Sequence, residues 1–517
     1  MKTPSSRDRN LVVAAVMVAT FLAALDTTIV DTAMPRIIGS LGGMSLYSWV
    51  FSAYLLTSTT TVTIYGKLSD IYGRKRMLLV GIALFVLGSA LAGQSHTMIE
   101  LILFRGLQGL GAGAVLPVTQ TIIGDLFSLE ERARMQGLFS SIWGFSAIVG
   151  PALGGLIVDH STWRWIFYVN VPMGLAASWL LWQYFHEEIE VREHRVDYPG
   201  AILLTVGVLT LLLGLLQGGV SHPWTSPYIL SLLVAAVVSL AAFLRVESRA
   251  AEPTLPLPLF QNPIISISNL AGFLAGAVMI GMTTYLPLFA QGVQGATATA
   301  AGAILAPLSI GWPIGSTVGG RIILRLGYRV SAVLGMAFDV AGAGVLLLVD
   351  RTGSLPLWVL MSLMFITGLG LGFSTLAFVL AIQNAVGWRQ RGVATASAQF
   401  LRNLGSTLGV SLMGTVLNLR LIARLRALPE AMPAGASGPE ILSRVNNLLQ
   451  PETWPTLTPE LLSGFRQALA QSLRGVHWMI LAAALMGLAV AWFIPAGRAQ
   501  DFAAPEDSPA RGRAGEA

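Results

Sequence analysis

Long apolar runs, broken by short clusters of charged residues, Gly and Pro, repeat along the whole chain. A helix needs about 20 predominantly apolar residues to cross a bilayer. The runs predict fourteen such spans, at 11–36, 46–66, 77–95, 99–124, 135–158, 164–186, 198–218, 226–245, 265–290, 299–320, 329–349, 355–386, 394–419 and 475–495. An even number places both termini on one side. Of the 32 Lys and Arg, 21 fall at the termini or in loops on that side, three (Arg36, Arg164, Arg351) in short opposite loops, six in one long opposite loop and two inside spans. Basic residues favour the cytoplasmic side, so both termini are expected there, with the chain multi-pass in the inner (cytoplasmic) membrane.

Composition supports this reading. With 517 residues, 54% hydrophobic and 11% charged, and a mean hydropathy of +0.68, the chain is an all-α polytopic membrane protein surrounded by lipid. The first run is too long for the core of a signal peptide and is read as retained. The absence of cysteine excludes disulfides, thiolate metal sites and a cysteine nucleophile. A net charge of +6 comes from residues scattered among short loops, so nucleic acid is not an expected partner. No G-x-x-x-x-G-K-[ST] loop is present, which argues against a built-in ATPase and, with no other catalytic constellation, against an enzyme.

Polar groups at membrane depth carry the functional signal. A charge at the bilayer centre costs at least about 2.5–3.5 kcal/mol, so such residues face a bundle interior or a watery cavity. Asp26 and Asp31 lie in the first span, about 140° apart around a helix at roughly 100° per residue. Arg105 is a permanent cation in the fourth span, followed by a Gly-rich stretch that lets another helix approach; snorkelling to the interface is its bland alternative. Between the second and third spans, Gly66-Lys67-Leu68-Ser69-Asp70-Ile71-Tyr72-Gly73-Arg74-Lys75-Arg76 offers a tight turn and a breakable ion-pair cluster. The fifth span contains Gly150-Pro151-Ala152-Leu153-Gly154-Gly155, where a kink and close packing are expected, and the sixth opens with Trp163-Arg164-Trp165-Ile166-Phe167-Tyr168-Val169-Asn170-Val171-Pro172-Met173-Gly174.

In this order, these segments resemble the major facilitator superfamily, and more narrowly its drug:proton antiporter family with fourteen spans. Later stretches, Glu247 to Ala250, Tyr285 to Phe289 and Gly392 to Ala396, also fit, so that the resemblance covers about 11–420. It implies two pseudo-symmetric six-helix bundles (11–190 and 265–495) with two inserted helices (198–245) between them, flanked by a cytoplasmic N-terminus (1–10) and a disordered tail (496–517). It implies proton-coupled export of amphipathic or cationic drugs by alternating access, driven by the proton motive force with no cofactor and by a monomer. Asp26, Asp31 and Arg105 are the expected proton-coupling residues. Gly66, Asp70, Gly73, Arg74, Arg76 and Arg402 are the expected conformational gate, and Gly150, Pro151, Gly154 and Gly155 the packing motif. Tyr54, Trp143, Asn170, Tyr285, Gln291, Trp312, Gln383, Asn384 and Gln399 are expected to line the substrate cavity. Asp31 stands where the family usually has Asn, which adds a second titrating candidate. Two alternatives remain open: a dedicated exporter of a lipid or cell-envelope component, and a non-transporting membrane sensor or scaffold.

An internal repeat fits the two-bundle architecture. At an offset of 254 residues, Gly66-Lys67-Leu68 falls on Gly320-Arg321-Ile322 and Gly73 on Gly327, whereas Asp70 falls on Leu324. Asp339, mid-span on the eleventh, is expected to be at least as often a structural pairing as a coupling group. All six histidines are placed in loops or at span ends. In the outer segment 420–474, Ser437-Gly438-Pro439-Glu440 and Thr458-Pro459-Glu460 predict two helix starts, one for a short helix near 439–449 and one running from Pro459 into the last span.

Overall fold

The computed structural model describes residues 6–41, 47–187, 197–218, 222–250, 253, 255–296, 298–349, 356–426 and 458–502. In chain order its α-helices are α1 (Ser6–Leu41), α2 (Tyr47–Tyr72), α3 (Arg74–Gln94), α4 (Met98–Leu126), α5 (Leu129–His160), α6 (Trp165–Tyr168), α7 (Asn170–Tyr184), α8 (Tyr198–Gln217), α9 (Pro227–Glu247), α10 (Pro263–Gly292), α11 (Ala298–Leu326), α12 (Tyr328–Val349), α13 (Leu357–Asn384), α14 (Arg391–Arg426) and α15 (Pro459–Trp492). The single turn α6 leads through Val169 into α7, and together they make the sixth span. Each of the fourteen predicted spans coincides with one helix or with this pair.

Helix starts follow local chemistry. Ser128 and Glu131 form a reciprocal capping box at α5, and the side chains of Thr97, Ser226 and Thr458 accept amide N–H groups in the first turns of α4, α9 and α15. The start at Pro459 is as predicted; the helix expected near 439–449 lies outside the described residues. At 36 and 34 residues, α14 and α15 are about 50 Å long. A hydrocarbon core is about 30 Å thick, so both helices project beyond it.

Two bundles result. In the first, α3 packs on α4, α4 on α2, and α1 on α5 and α7; in the second, α10 packs on α14 and α15, α11 on α13, and α12 on α13 and α15. The bundles meet through α2 against α14 and α5 against α11. The inserted pair, α8 and α9, lies along this seam: Leu204, Val208, Leu212 and Phe243 share a buried cluster with Leu56 and Val62 of α2 and Ala396 and Phe400 of α14. Among the described residues eleven helices are long and apolar enough to cross a membrane, α6 and α7 counting as one. The other three helices that coincide with predicted spans, α2, α5 and α11, all pack across the seam.

The repeat is visible in the backbone. Gly73 and Gly327, 254 residues apart, adopt positive φ angles of 93° and 85°, and their N–H groups donate to Ser69 and Ile323, which are again 254 apart. Only glycine adopts such a φ at low cost, so each bundle turns between its second and third helices in the same way.

Candidate functional site

The first constellation is buried inside the N-terminal bundle. Asp26 on α1 has no exposed surface; its Oδ2 accepts from Arg105 of α4 at 2.6 Å, and its Oδ1 accepts from Gln108 at 2.8 Å and Asn170 of α7 at 3.0 Å. Arg105 also donates to Gln108 Oε1 at 2.8 Å, and its guanidinium lies 4.3 Å from the centre of the Tyr54 ring of α2. Asn170 donates in turn to Ser89 of α3 at 3.0 Å. Arg105 and Gln108, three residues apart, share one face of α4. Gly88 lets α3 approach that face: a Cβ there would fall 2.5 Å from the Gln108 amide nitrogen. Arg105 therefore does not snorkel. Side chains from five helices join this network, and every bond to the Asp26 carboxylate is made by a side chain of α4 or α7, so its negative charge holds the group together.

Asp31 belongs to α1, but its side chain lies outside the described residues. Nearby, Thr28 donates to the Ser146 carbonyl at 3.1 Å, and Gly150 sits directly against the Thr28 hydroxyl, so this glycine sets the approach of α1 and α5. Gly154 is buried as well. Gly155 departs from expectation: among the described residues a Cβ there would meet nothing within 4 Å, so none of them packs against it. The Pro151 side chain lies outside the described residues, and α5 runs as one helix through it.

The second constellation lies at the end of the seam that carries the termini. Asp70 accepts from Arg74 at 2.8 Å and from the backbone N–H groups of Gly392 and Val393 at 3.1 and 2.8 Å. A carboxylate of the first bundle thus caps the positive end of α14 in the second. Arg74 is buried; it donates to Asp125 at 3.0 Å and to the Trp388 carbonyl at 2.9 Å, and stacks 4.1 Å from the centre of the Trp388 ring. Asp125 also pairs with Arg391 at 2.7 Å. Glu187 receives the first amides of α3 from Arg74 and Lys75; burial pushes its carboxyl above the ordinary value, against the pull of those two bonds. Gly66 lies against Ala396 and the Gly392 carbonyl, and Gln383 donates to the Gln120 carbonyl at 3.3 Å. Among the described residues the polar contacts joining the bundles cluster at this end, so the structure is closed there.

Two expected members of this gate lie elsewhere. Arg76 is exposed, and no ion pair joins it to Asp70 among the described residues. Arg402 is three turns into α14 and donates to Gln399 at 2.7 Å, because the α14 amides and Arg74 already satisfy Asp70. Asp125, Arg391, Trp388 and Glu187 take their places. Sequence alone did not reveal these four, nor Gln108 and Ser89; the one available signal was the spacing of Gln108 from Arg105.

The expected cavity residues divide. Trp143 is 40% exposed on α5, while Gln291 and Trp312 are half-buried. Tyr54 and Asn170 belong to the Asp26 network. Tyr285 is a correction: it is buried in the core of the second bundle, and its hydroxyl donates to the Val410 carbonyl at 3.0 Å. Gln383 is a seam residue, also bonded to Thr395, and Asn384 ends α13. Gln399, Arg402 and Asn403 form a hydrogen-bonded row. Asp339, for which a structural pairing and a coupling role were both open, is buried with neither carboxylate oxygen bonded among the described residues. His477 is also a correction, being fully buried in α15 with its ring edge-on to Phe289.

Comparison with known proteins places this architecture. The sequence profile of the Major Facilitator Superfamily matches residues 16–410. The multidrug transporter protein MdtP of Bacillus subtilis (strain 168) is 40% identical over 433 residues, covering 83% of this chain and 80% of its own. Multidrug resistance protein 3 of the same organism is 36% identical over 482 residues, 93% of this chain and 94% of its own. Among solved structures, the proton:xylose symporter XylE bound to 6-bromo-6-deoxy-D-glucose superposes with a TM-score of 0.61 at 12% identity, covering 96% of this chain and 97% of its own. The human organic anion transporter MFSD10 superposes with a TM-score of 0.60 at 14% identity, covering 92% and 99%; both likenesses concern the fold alone. With its two bundles, repeated glycine turn and matching profile, the chain belongs to the Major Facilitator Superfamily.

Proposed function

We propose that this protein is a proton-coupled antiporter that exports amphipathic or cationic drugs and other hydrophobic compounds across the cytoplasmic membrane by alternating access. The observation that carries the reading is the buried Asp26–Arg105 pair with its Gln108 and Asn170 donors: a titratable carboxylate held by bonds that need its charge. The names of the multidrug relatives from Bacillus subtilis support export, and the Lys and Arg distribution supports cytoplasmic termini. The state described here is closed on the terminus-bearing side, so in this reading a proton enters from outside and neutralises Asp26. Arg105 then loses its counter-charge, the contacts at the cytoplasmic end give way, and the bundles rock about the mid-membrane site. Substrate from the cytoplasm displaces the proton, and recapping of α14 by Asp70 returns the carrier. The proton motive force is the energy source, no cofactor is required, and one chain in the bilayer is the working unit. Asp31 supplies a second titrating carboxylate.

Proteoliposomes with an imposed pH gradient and the cation ethidium provide the test. The wild type accumulates the dye against its gradient; Asp26→Asn abolishes that while Asp31→Asn retains it. Accumulation by Asp26→Asn at the wild-type rate refutes Asp26 as the coupling site, and gradient-independent transport by the wild type refutes antiport.

A further inference from the structure

Arg402 takes no part in the gate, and no carboxylate pairs with it among the described residues. One guanidinium N–H goes to Gln399 Oε1, and Gln399 is itself anchored by its amide to Asn403 Oδ1 at 2.8 Å. The guanidinium is thereby held in place while most of its five donors have no bond among the described residues. It lines a small cavity between α10, α13 and α14 together with Ser268, Gly272, Thr375, Phe378 and Gln399. Two features of that lining suit a ligand. The Ser268 hydroxyl, on a side chain 1% exposed, has no hydrogen-bond partner among the described residues. At Gly272 a Cβ would meet only the Phe378 ring, at 3.9 Å, so the glycine leaves room beside an aromatic surface.

A fixed cation without a counter-charge at membrane depth is costly, as is an unbonded buried hydroxyl. Both costs fall when one group satisfies both. A carboxylate does so: it accepts two N–H bonds in the plane of a guanidinium fork and a third from a hydroxyl. We propose that Arg402 and Ser268 form a binding site for the carboxylate of an anionic or zwitterionic amphipathic substrate, the cavity taking that one polar group while the apolar body stays outside it. Cationic compounds rely on the acidic residues of the first bundle, and this second site extends the substrate range to compounds bearing a negative group. The inference rests on the transport reading only for the origin of the ligand, since binding needs no pH gradient.

The test uses purified full-length protein in detergent and two dyes that share one cationic ring system and differ only in the acid, the zwitterion rhodamine B and its cationic ethyl ester, with binding read by fluorescence anisotropy. Hydrogen bonds to a charged group contribute about 1.5–3 kcal/mol, so Arg402→Gln is expected to weaken rhodamine B binding at least about tenfold and to leave the ester unchanged. Arg402→Lys restores part of the loss, and Ser268→Ala weakens the free acid alone, by a smaller factor. Loss of both dyes in equal proportion, or of neither, overturns the site. A thermal-shift titration with decanoate against decanol gives an independent reading: decanoate protects the wild type and not Arg402→Gln, and equal protection of the two proteins, or of neither, also overturns it. Intact pH-driven ethidium transport in Arg402→Gln separates failure of this site from failure of the antiport reading.

Discussion

The ion pair between Asp26 and Arg105 determines what single substitutions do. Removing one member of a buried pair leaves the other charge uncompensated, at a cost of about 3–5 kcal/mol. Asp26→Asn is therefore expected to lower the melting temperature as well as stop transport, because the amide leaves Arg105 facing neutral partners. The double variant Asp26→Asn with Arg105→Gln should recover most of that thermal stability and no transport. If the double variant melts no higher than the single one, the pair is not the source of the loss. Gln108→Leu tests the missed residue: it keeps the pair and deletes a bond to each member, so it should fold and transport ethidium at about one-tenth of the wild-type rate in proteoliposomes, by the same allowance for charged hydrogen bonds. Asp26 and Arg105 were readable from the chain because charge is rare at membrane depth. Gln108 and Ser89 were not, since a neutral polar residue in a helix looks the same whether it faces lipid, a neighbour or an ion pair.

Helices in lipid are not driven together by the hydrophobic effect, and their spacing depends on small residues at the crossings. Gly66, pressed against Ala396 and Gly392, is such a crossing between α2 and α14. Gly66→Val should force these helices apart and favour the state open at the terminus-bearing end. Asp70→Asn should have the same direction of effect for a different reason, removal of the charge that caps α14, by about 1 kcal/mol for a helix-terminal interaction. Faster dye release to the cytoplasmic side by both variants is the expected measurement, and release at the wild-type rate by Gly66→Val would mean that the crossing tolerates a side chain. Helix positions, the Pro459 start and the paired turns at Gly73 and Gly327 all followed from local chemistry, which is why they were predictable. Gly155 was misjudged because a glycine reads alike whether a neighbour presses on it or nothing does.

Hydrogen bonds between the bundles join residues 176 to 323 positions apart among the described residues, and no periodicity predicts such pairs. Arg402 is an expected member of the gate, but the capacity of Asp70 is already filled by Arg74 and two amides. Rocking of two rigid bundles makes a paired prediction. Labels at Tyr72 and Leu326, exposed near the terminus-bearing ends of α2 and α11, report one end of the seam; labels at Leu156 and Gly302 report the other. The chain contains no cysteine, so these four can be introduced as two pairs without removing any. In Asp70→Asn the first distance should lengthen and the second shorten together, measured by pulsed electron resonance. Movement of both in one direction would indicate swelling of the molecule instead of rocking.

The Trp388 ring beneath Arg74 gives the closed gate an optical signature. An indole 4.1 Å from a guanidinium has its excited state perturbed by that charge, and the ring leaves this position when the bundles part. Emission from Trp388, isolated by subtracting the spectrum of Trp388→Phe, therefore changes with each opening. The carrier's own light then records its cycle without any label attached.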